Sequence, residues 1–281
     1  MDNFPLLLYN RIMSYCVLLC LIMSHIFFNR KDLLIQSSLI RCTRRCNMNF
    51  FDSTIIQFLN KFSHHSWVFD SALTFLADNN LVKGGIFTII IWWIWFKNSD
   101  GQADIREHII AIILSCFVAM VLARMLSVSL PYRERPLHEA ALNFVLPYGI
   151  KSTALSNWSS FPSDHGVLFF TLTTGFFFIS KKLGILASIY TIIFIAFPRI
   201  YLGFHYPTDI ICGGLIGIAI GVAANQKFIC NKISKPILKW SEKSPGLFYA
   251  LFFLISYQIA DLFNSSRLLL HSIMEIIEHI I

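Results

Sequence analysis

Residues 108–130 carry charge only at His108 and Arg124. As a helix with a rise of about 1.5 Å per residue, they cross the ~30 Å hydrocarbon core of a bilayer. Further apolar runs lie at about 166–180, 183–198, 209–224 and 246–263. The shorter run Gly84–Phe96 reaches spanning length by adding Leu81 and Val82, with Lys83 and Lys97 snorkelling and Trp92, Trp93 and Trp95 near one interface. Inside lipid a helix satisfies its own backbone, so an all-α, polytopic membrane helix bundle is expected. Composition agrees: 56% of the residues are hydrophobic and 14% charged, against about 25% charged in soluble domains.

The formal net charge of +7 does not point to nucleic acid. Lys181, Lys182, Lys227, Lys232, Lys235, Lys239 and Lys243 occupy short segments between apolar runs, the pattern of cytoplasmic membrane loops. Two spans, 183–198 and 209–224, separate the two lysine groups, so both fit one face. Segments 131–165 and 199–208 then fall together on the extracytoplasmic face. A multi-pass protein of the cytoplasmic (inner) membrane is expected, with its polar motifs outside.

Residues 1–47 break this pattern. An apolar run near 13–28 is followed by Arg30, Lys31, Arg41, Arg44 and Arg45, where parity calls for an outer segment. This stretch is expected to be an upstream misread or a loosely attached extra segment. The working domain is expected over 48–226, with a basic loop, another span and an amphipathic helix over 227–281. Residues 51–62 place Phe51, Ile55, Phe58, Leu59 and Phe62 on one helical face and Asp52, Gln57, Asn60 and Lys61 opposite, as in a helix lying in the interface. The seven cysteines show no paired metal-ligand spacing beyond an isolated Cys42-x3-Cys46.

Three segments carry chemistry: Arg135-Pro136, Pro162-Ser163-Asp164-His165, and Arg199-x5-His205-x3-Asp209. Phosphoryl transfer needs charge stabilisation, positioning and an in-line nucleophile. Arg135 and Arg199 suit bidentate contact with phosphate oxygens. The span beginning at Pro162-Ser163 offers free backbone N–H groups and a positive helix end, and Ser163 adds a hydroxyl. His205 and Asp209, four apart, are neighbours on a helical turn, where Asp209 is also placed to cap the helix that follows. His64 and His65 read as surface residues. Gly213, Gly217 and Gly221 form a ridge for close helix packing. His271, Glu275 and His279 resemble metal ligands by spacing, but they form the polar side of an amphipathic segment. No cofactor and no metal are expected.

In order and spacing these segments resemble the three-part signature of the type 2 phosphatidic acid phosphatase superfamily, over about residues 48–226. The likeness is greatest to the undecaprenyl diphosphate phosphatases of the bacitracin-resistance type. It includes Phe161-Pro162-Ser163-Asp164-His165, His205-Tyr206-Pro207 and Met48-Asn49-Phe50…Ser63-His64-His65. The resemblance implies the lipid phosphatase and vanadium haloperoxidase type of bundle. It also implies a polyprenyl or other lipid phosphate as substrate and a phosphohistidine intermediate. Carried over, His205 is the nucleophile, Asp209 its partner, and His165 the residue that protonates the leaving oxygen and then activates water. Two positions depart from the pattern. The usual lysine seven places before the Arg of Arg-Pro is Val128 here, leaving Arg124 or Arg133 to supply the charge. Asp164 replaces a common glycine, as it does in the undecaprenyl diphosphate branch; its carboxylate must turn from phosphate or meet an arginine. A non-catalytic lipid-phosphate binding or transport protein is the rival class; binding alone would need only the arginines.

Overall fold

The computed structural model describes residues 49–156 and 158–265, within one compact unit, Met48–Ile281. The expectations for 1–47 and for the helix at 267–281 with His271, Glu275 and His279 lie outside the described residues. Within them, every regular element is helical.

Two short helices open the unit. In α1 (Phe50–Asn60) the Asn49 side chain accepts the Asp52 N–H at 2.7 Å. In α2 (Trp67–Asp78) the Ser66 hydroxyl accepts the Phe69 N–H at 3.3 Å. Both are N-caps of the usual polar kind. Then come α3 (Leu81–Phe96) and α4 (Gln102–Ser129). The segment after α4 holds only two short 3-10 turns, Pro136–His138 and Ala140–Leu142. It leads into α5 (Asp164–Ile179), α6 (Lys181–Tyr201), α7 (Pro207–Ala224), α8 (Lys235–Lys243) and α9 (Pro245–Ala260). Helices α4, α6 and α7 are long and apolar enough to cross a membrane, and α3, α5 and α9 are shorter apolar helices. The runs read from sequence thus become helices, and the chain is a membrane protein.

Helix α5 is the packing centre, lying against α4, α7 and α6. It is apolar all round and correspondingly buried through most of its first three turns. Glycines let α7 approach it. A Cβ at Gly213 would stand 2.6 Å from the Ser163 carbonyl oxygen, and one at Gly217 would stand 2.3 Å from that of Val167. The opposite side of α7 exposes Ile211, Leu215, Ile218 and Val222, a stripe suited to lipid.

In α3 Trp95 packs inward: it is fully buried, its ring centroid 4.7 Å from Phe252 and 5.5 Å from Phe248. One expectation for α3 changes. Lys83 does not snorkel. It sits in a widened turn, Leu81–Gly85, is 3% exposed, and donates to the Ala77 carbonyl at 2.5 Å. Close packing explains why: a Cβ at the adjacent Gly84 would stand 2.4 Å from the Ile259 carbonyl oxygen. Helix α9 therefore holds the start of α3 away from the surface.

Candidate active site

The three segments meet where α5 and α7 begin and α6 ends. After α6 the chain reverses at Gly203, whose φ of 72° lies in the left-handed region. A side chain there would also meet the Phe144 ring at 2.6 Å. The reversal brings the Phe204 and His205 N–H groups back to the Arg199 carbonyl at 2.9 and 3.2 Å.

His205 is 2% exposed, and its Nδ1 lies 2.8 Å from the Ser160 carbonyl oxygen. A carbonyl only accepts, so Nδ1 carries the proton and Nε2 keeps its lone pair. Burial pushes the His205 pKa below its ordinary value; the Arg135 charge adds to this, while Asp209 and Asp164 oppose it. The neutral, nucleophilic form is therefore favoured.

Asp209 does not bond His205 directly, its Oδ2 being 3.8 Å from Nδ1. That oxygen instead accepts the Tyr206 N–H at 2.8 Å, capping α7, and also accepts the Ser160 hydroxyl. Ser160 therefore links the two, with its hydroxyl on Asp209 and its carbonyl on His205.

Arg133 bridges two buried carboxylates. Nη1 donates to Asp209 Oδ1, Nη2 to Asp52 Oδ2 at 2.7 Å, and the guanidinium lies 4.1 Å from the Tyr206 ring. Burial acts to lower its pKa, but the Asp209 and Asp52 carboxylates outweigh that and raise it. Asp52 faces this site rather than water: it is fully buried and accepts the Thr208 N–H at 3.0 Å and hydroxyl at 2.5 Å. Periodicity assigned Asp52 to the polar side of α1, but the chain around Arg133 and Thr208 covers that side.

Arg135, 6% exposed, donates through Nε to the Trp158 carbonyl at 3.1 Å. Its Nη1 reaches the Phe204 carbonyl and Nη2 the Ser159 carbonyl at 2.5 and 3.2 Å. It ties the segment before α5 to the turn that presents His205. Three of its five N–H groups are engaged there, leaving two for an anion. Burial lowers its pKa, against the carboxylates of Asp164 and Asp209.

The second histidine belongs to the first turn of α5. His165 Nδ1 lies 2.8 Å from Asp164 Oδ1, which also accepts the His165 N–H at 2.8 Å. Asp164 thus turns its carboxylate to its neighbour's ring. Arg199 Nη2 approaches His165 Nε2 at 2.7 Å and the Ala77 carbonyl at 3.3 Å. With Nδ1 donating to a carboxylate, Nε2 is the acceptor of the arginine N–H. Ser163 joins the two halves. Its N–H donates to the Asp209 carbonyl at 3.3 Å, and its hydroxyl oxygen accepts the Gly166 N–H at 3.2 Å, capping α5.

Of the two stand-ins for the lysine at Val128, Arg133 is held as described. Arg124 lies 3.9 Å over the Trp158 ring, within electrostatic reach of Asp164. Val128 itself is 41% exposed. Sequence reasoning missed Asp52, Ser160 and Thr208 as members of the site. Among the described residues, no group of three or more His, Cys, Asp or Glu side chains is placed to hold a metal ion.

A helical membrane bundle that gathers two histidines, paired carboxylates and arginines at its helix ends has the form of a phosphoryl hydrolase. The model of the PAP2 superfamily matches residues 82–230, and the chain belongs to that family. It is a phosphatase, a phosphoric ester hydrolase. Over 167 residues it is 23% identical to "Undecaprenyl-diphosphatase BcrC" of Bacillus subtilis (strain 168), covering 59% of this chain and 79% of that protein. Identity to "Putative undecaprenyl-diphosphatase YbjG" of Escherichia coli (strain K12) is 27% over 161 residues, 57% of this chain and 73% of the relative. "Lipid A 1-diphosphate synthase" of the same strain is 30% identical over 157 residues, 54% of this chain and 63% of that protein. No solved structure matches the chain.

Proposed function

We propose that the protein hydrolyses the terminal phosphate of undecaprenyl diphosphate, releasing inorganic phosphate and the monophosphate lipid. The observation that carries the mechanism is the bond from His205 Nδ1 to the Ser160 carbonyl, 2.8 Å, which reserves Nε2 for attack. Nε2 forms a bond to the terminal phosphorus as the bridging P–O bond breaks, and His165, which takes up a proton from solvent at its own Nε2 once Arg199 has left it, gives that proton to the leaving oxygen. Arg199 turns from His165 to the phosphate oxygens, and Arg135 and the N-terminal end of α5 add positive charge around them. Water then attacks the phosphohistidine, His165 takes its proton, and the N–P bond breaks to free phosphate. The names of the relatives support the diphosphate lipid as substrate.

The test is phosphate release by the purified full chain in detergent from undecaprenyl diphosphate, phosphatidate, phosphatidylglycerol phosphate and lipid A. Many turnovers are expected, with kcat/KM for undecaprenyl diphosphate higher than for the others by about tenfold or more, roughly 1.4 kcal/mol of discrimination. A single turnover at most would make the protein a binder; preference for another lipid would replace the substrate.

We further propose that the site faces the extracytoplasmic side. Helix α5 carries His165 at its start and is followed by Lys181 and Lys182 about 24 Å further along, and such lysines stay in the cytoplasm. In a variant with the native cysteines replaced, a cysteine introduced within 140–160 is expected to react with an impermeant thiol reagent on intact cells. One within 228–240 should not. The reverse labelling pattern would place the site in the cytoplasm.

A further inference from the structure

Lys83 has no part in the chemistry described so far, and it is nearly inaccessible at 3% exposure. Burying an ammonium is costly unless a partner compensates. Its described hydrogen bond is to one acceptor, the Ala77 carbonyl at 2.5 Å, although an ammonium has three N–H donors. The same carbonyl oxygen accepts from Arg199 Nη2 at 3.3 Å, and Nη2 in turn lies 2.7 Å from His165 Nε2. Two cations therefore stand side by side around one neutral oxygen, next to the acid–base histidine. Asp78 and Asp164 are within electrostatic reach of Lys83, but none of the described ion pairs includes it. Like charges so placed repel, and an anion between them turns the repulsion into binding.

The lysine is also held in place. It sits in the widened turn Leu81–Gly85, a local departure from α-helix geometry often found at functional sites. On one side the Tyr190 hydroxyl donates to the Val82 carbonyl at 2.6 Å. On the other, Gly84 packs on the backbone of α9.

We propose that Lys83, beside the Arg199 that holds the terminal phosphate, binds the phosphate that remains on the lipid and so selects lipid diphosphates over lipid monophosphates. This rests on the mechanism proposed above, which puts His165 on the leaving-group side. A diphosphate places a second charged phosphate there. A monoester presents only a carbon-bound oxygen that takes up a proton and leaves as a neutral alcohol. Lys83 thereby supplies, from α3, a cation that the first motif lacks at Val128.

The ligands for the test are farnesyl diphosphate and farnesyl monophosphate, whose dissociation constants are measured on the full chain carrying His205→Ala to prevent turnover. Adding Lys83→Met is expected to weaken diphosphate binding about 100-fold, within the range for losing one partner of a buried charge pair, and monophosphate binding far less. Lys83→Gln retains a donor for the Ala77 carbonyl but no charge, so it should show the same selective loss. Lys83→Arg should recover most of the preference. If Lys83 merely caps the end of α2, Lys83→Gln will bind the diphosphate as tightly as Lys83 does, and the proposal fails. It also fails if both ligands lose affinity equally, or if neither binds. Turnover of undecaprenyl diphosphate by the unaltered chain is measured in parallel. Its absence would overturn the diphosphatase reading, whereas normal turnover with unselective losses would overturn only the role of Lys83.

Discussion

His205→Ala is expected to lower kcat for undecaprenyl diphosphate by about 10⁴-fold or more, the scale of loss when a covalent nucleophile is removed. The affinity for the lipid should change by less than about tenfold. Arg135, Arg199 and the start of α5 carry the positive charge and remain in place, and His205 adds little to ground-state binding as a neutral ring. Burial already disfavours its charged form. Rapid-quench labelling with terminally radiolabelled substrate should trap an acid-labile phosphoprotein in the unaltered chain and none in the variant. Turnover within about tenfold of normal, or an undiminished phosphoprotein, would remove His205 from the nucleophile's role and with it the mechanism proposed here.

The largest effect on stability is expected at Arg133. Its guanidinium lies between Asp52 and Asp209, both fully buried. Arg133→Met leaves two carboxylates without their countercharge, and breaking a buried pair in this way costs about 3–5 kcal/mol. Arg133→Lys should recover little, because a single ammonium does not reproduce the fork that reaches both partners. Adding Asp52→Asn to Arg133→Met should restore part of the loss, since one uncompensated charge is then removed. Thermal unfolding in detergent reads all three variants. Activity should fall with stability, because Asp209 also holds the Ser160 hydroxyl, and Ser160 in turn holds the His205 ring. If Arg133→Met melts like the unaltered protein but binds lipid phosphate weakly, Arg133 belongs with the substrate, as the sequence reading allowed.

The helices were legible in the sequence because each apolar segment answers a local demand. In lipid, a spanning segment must satisfy its own backbone hydrogen bonds and offer apolar side chains for about 30 Å. The runs at 108–130, 183–198 and 209–224 therefore announce α4, α6 and α7 without reference to the rest of the chain. The three polar segments were legible for a different reason. His165, Arg199 and His205 stand among apolar residues where only chemistry or pairing repays their cost. The glycines of α7 likewise announced a close helix contact, which proved to be with α5.

What only the tertiary structure decided is which partner each polar group takes. The polar side of α1 was visible in the pattern, but periodicity identifies a face and not what covers it. Asp52 turned out to meet Arg133 and Thr208, at 2.7 and 2.5 Å, from segments remote in the chain. Ser160 carries no pattern of its own, since every residue has a backbone carbonyl and the path of the loop selects which one faces His205. Lys83 has the sequence of a snorkelling anchor, and the backbone of α9 beside Gly84 keeps it inward. Each of these assignments depends on contacts between distant segments. Hydropathy and spacing, being properties of neighbours along the chain, determine the helices and the reactive residues but not those contacts.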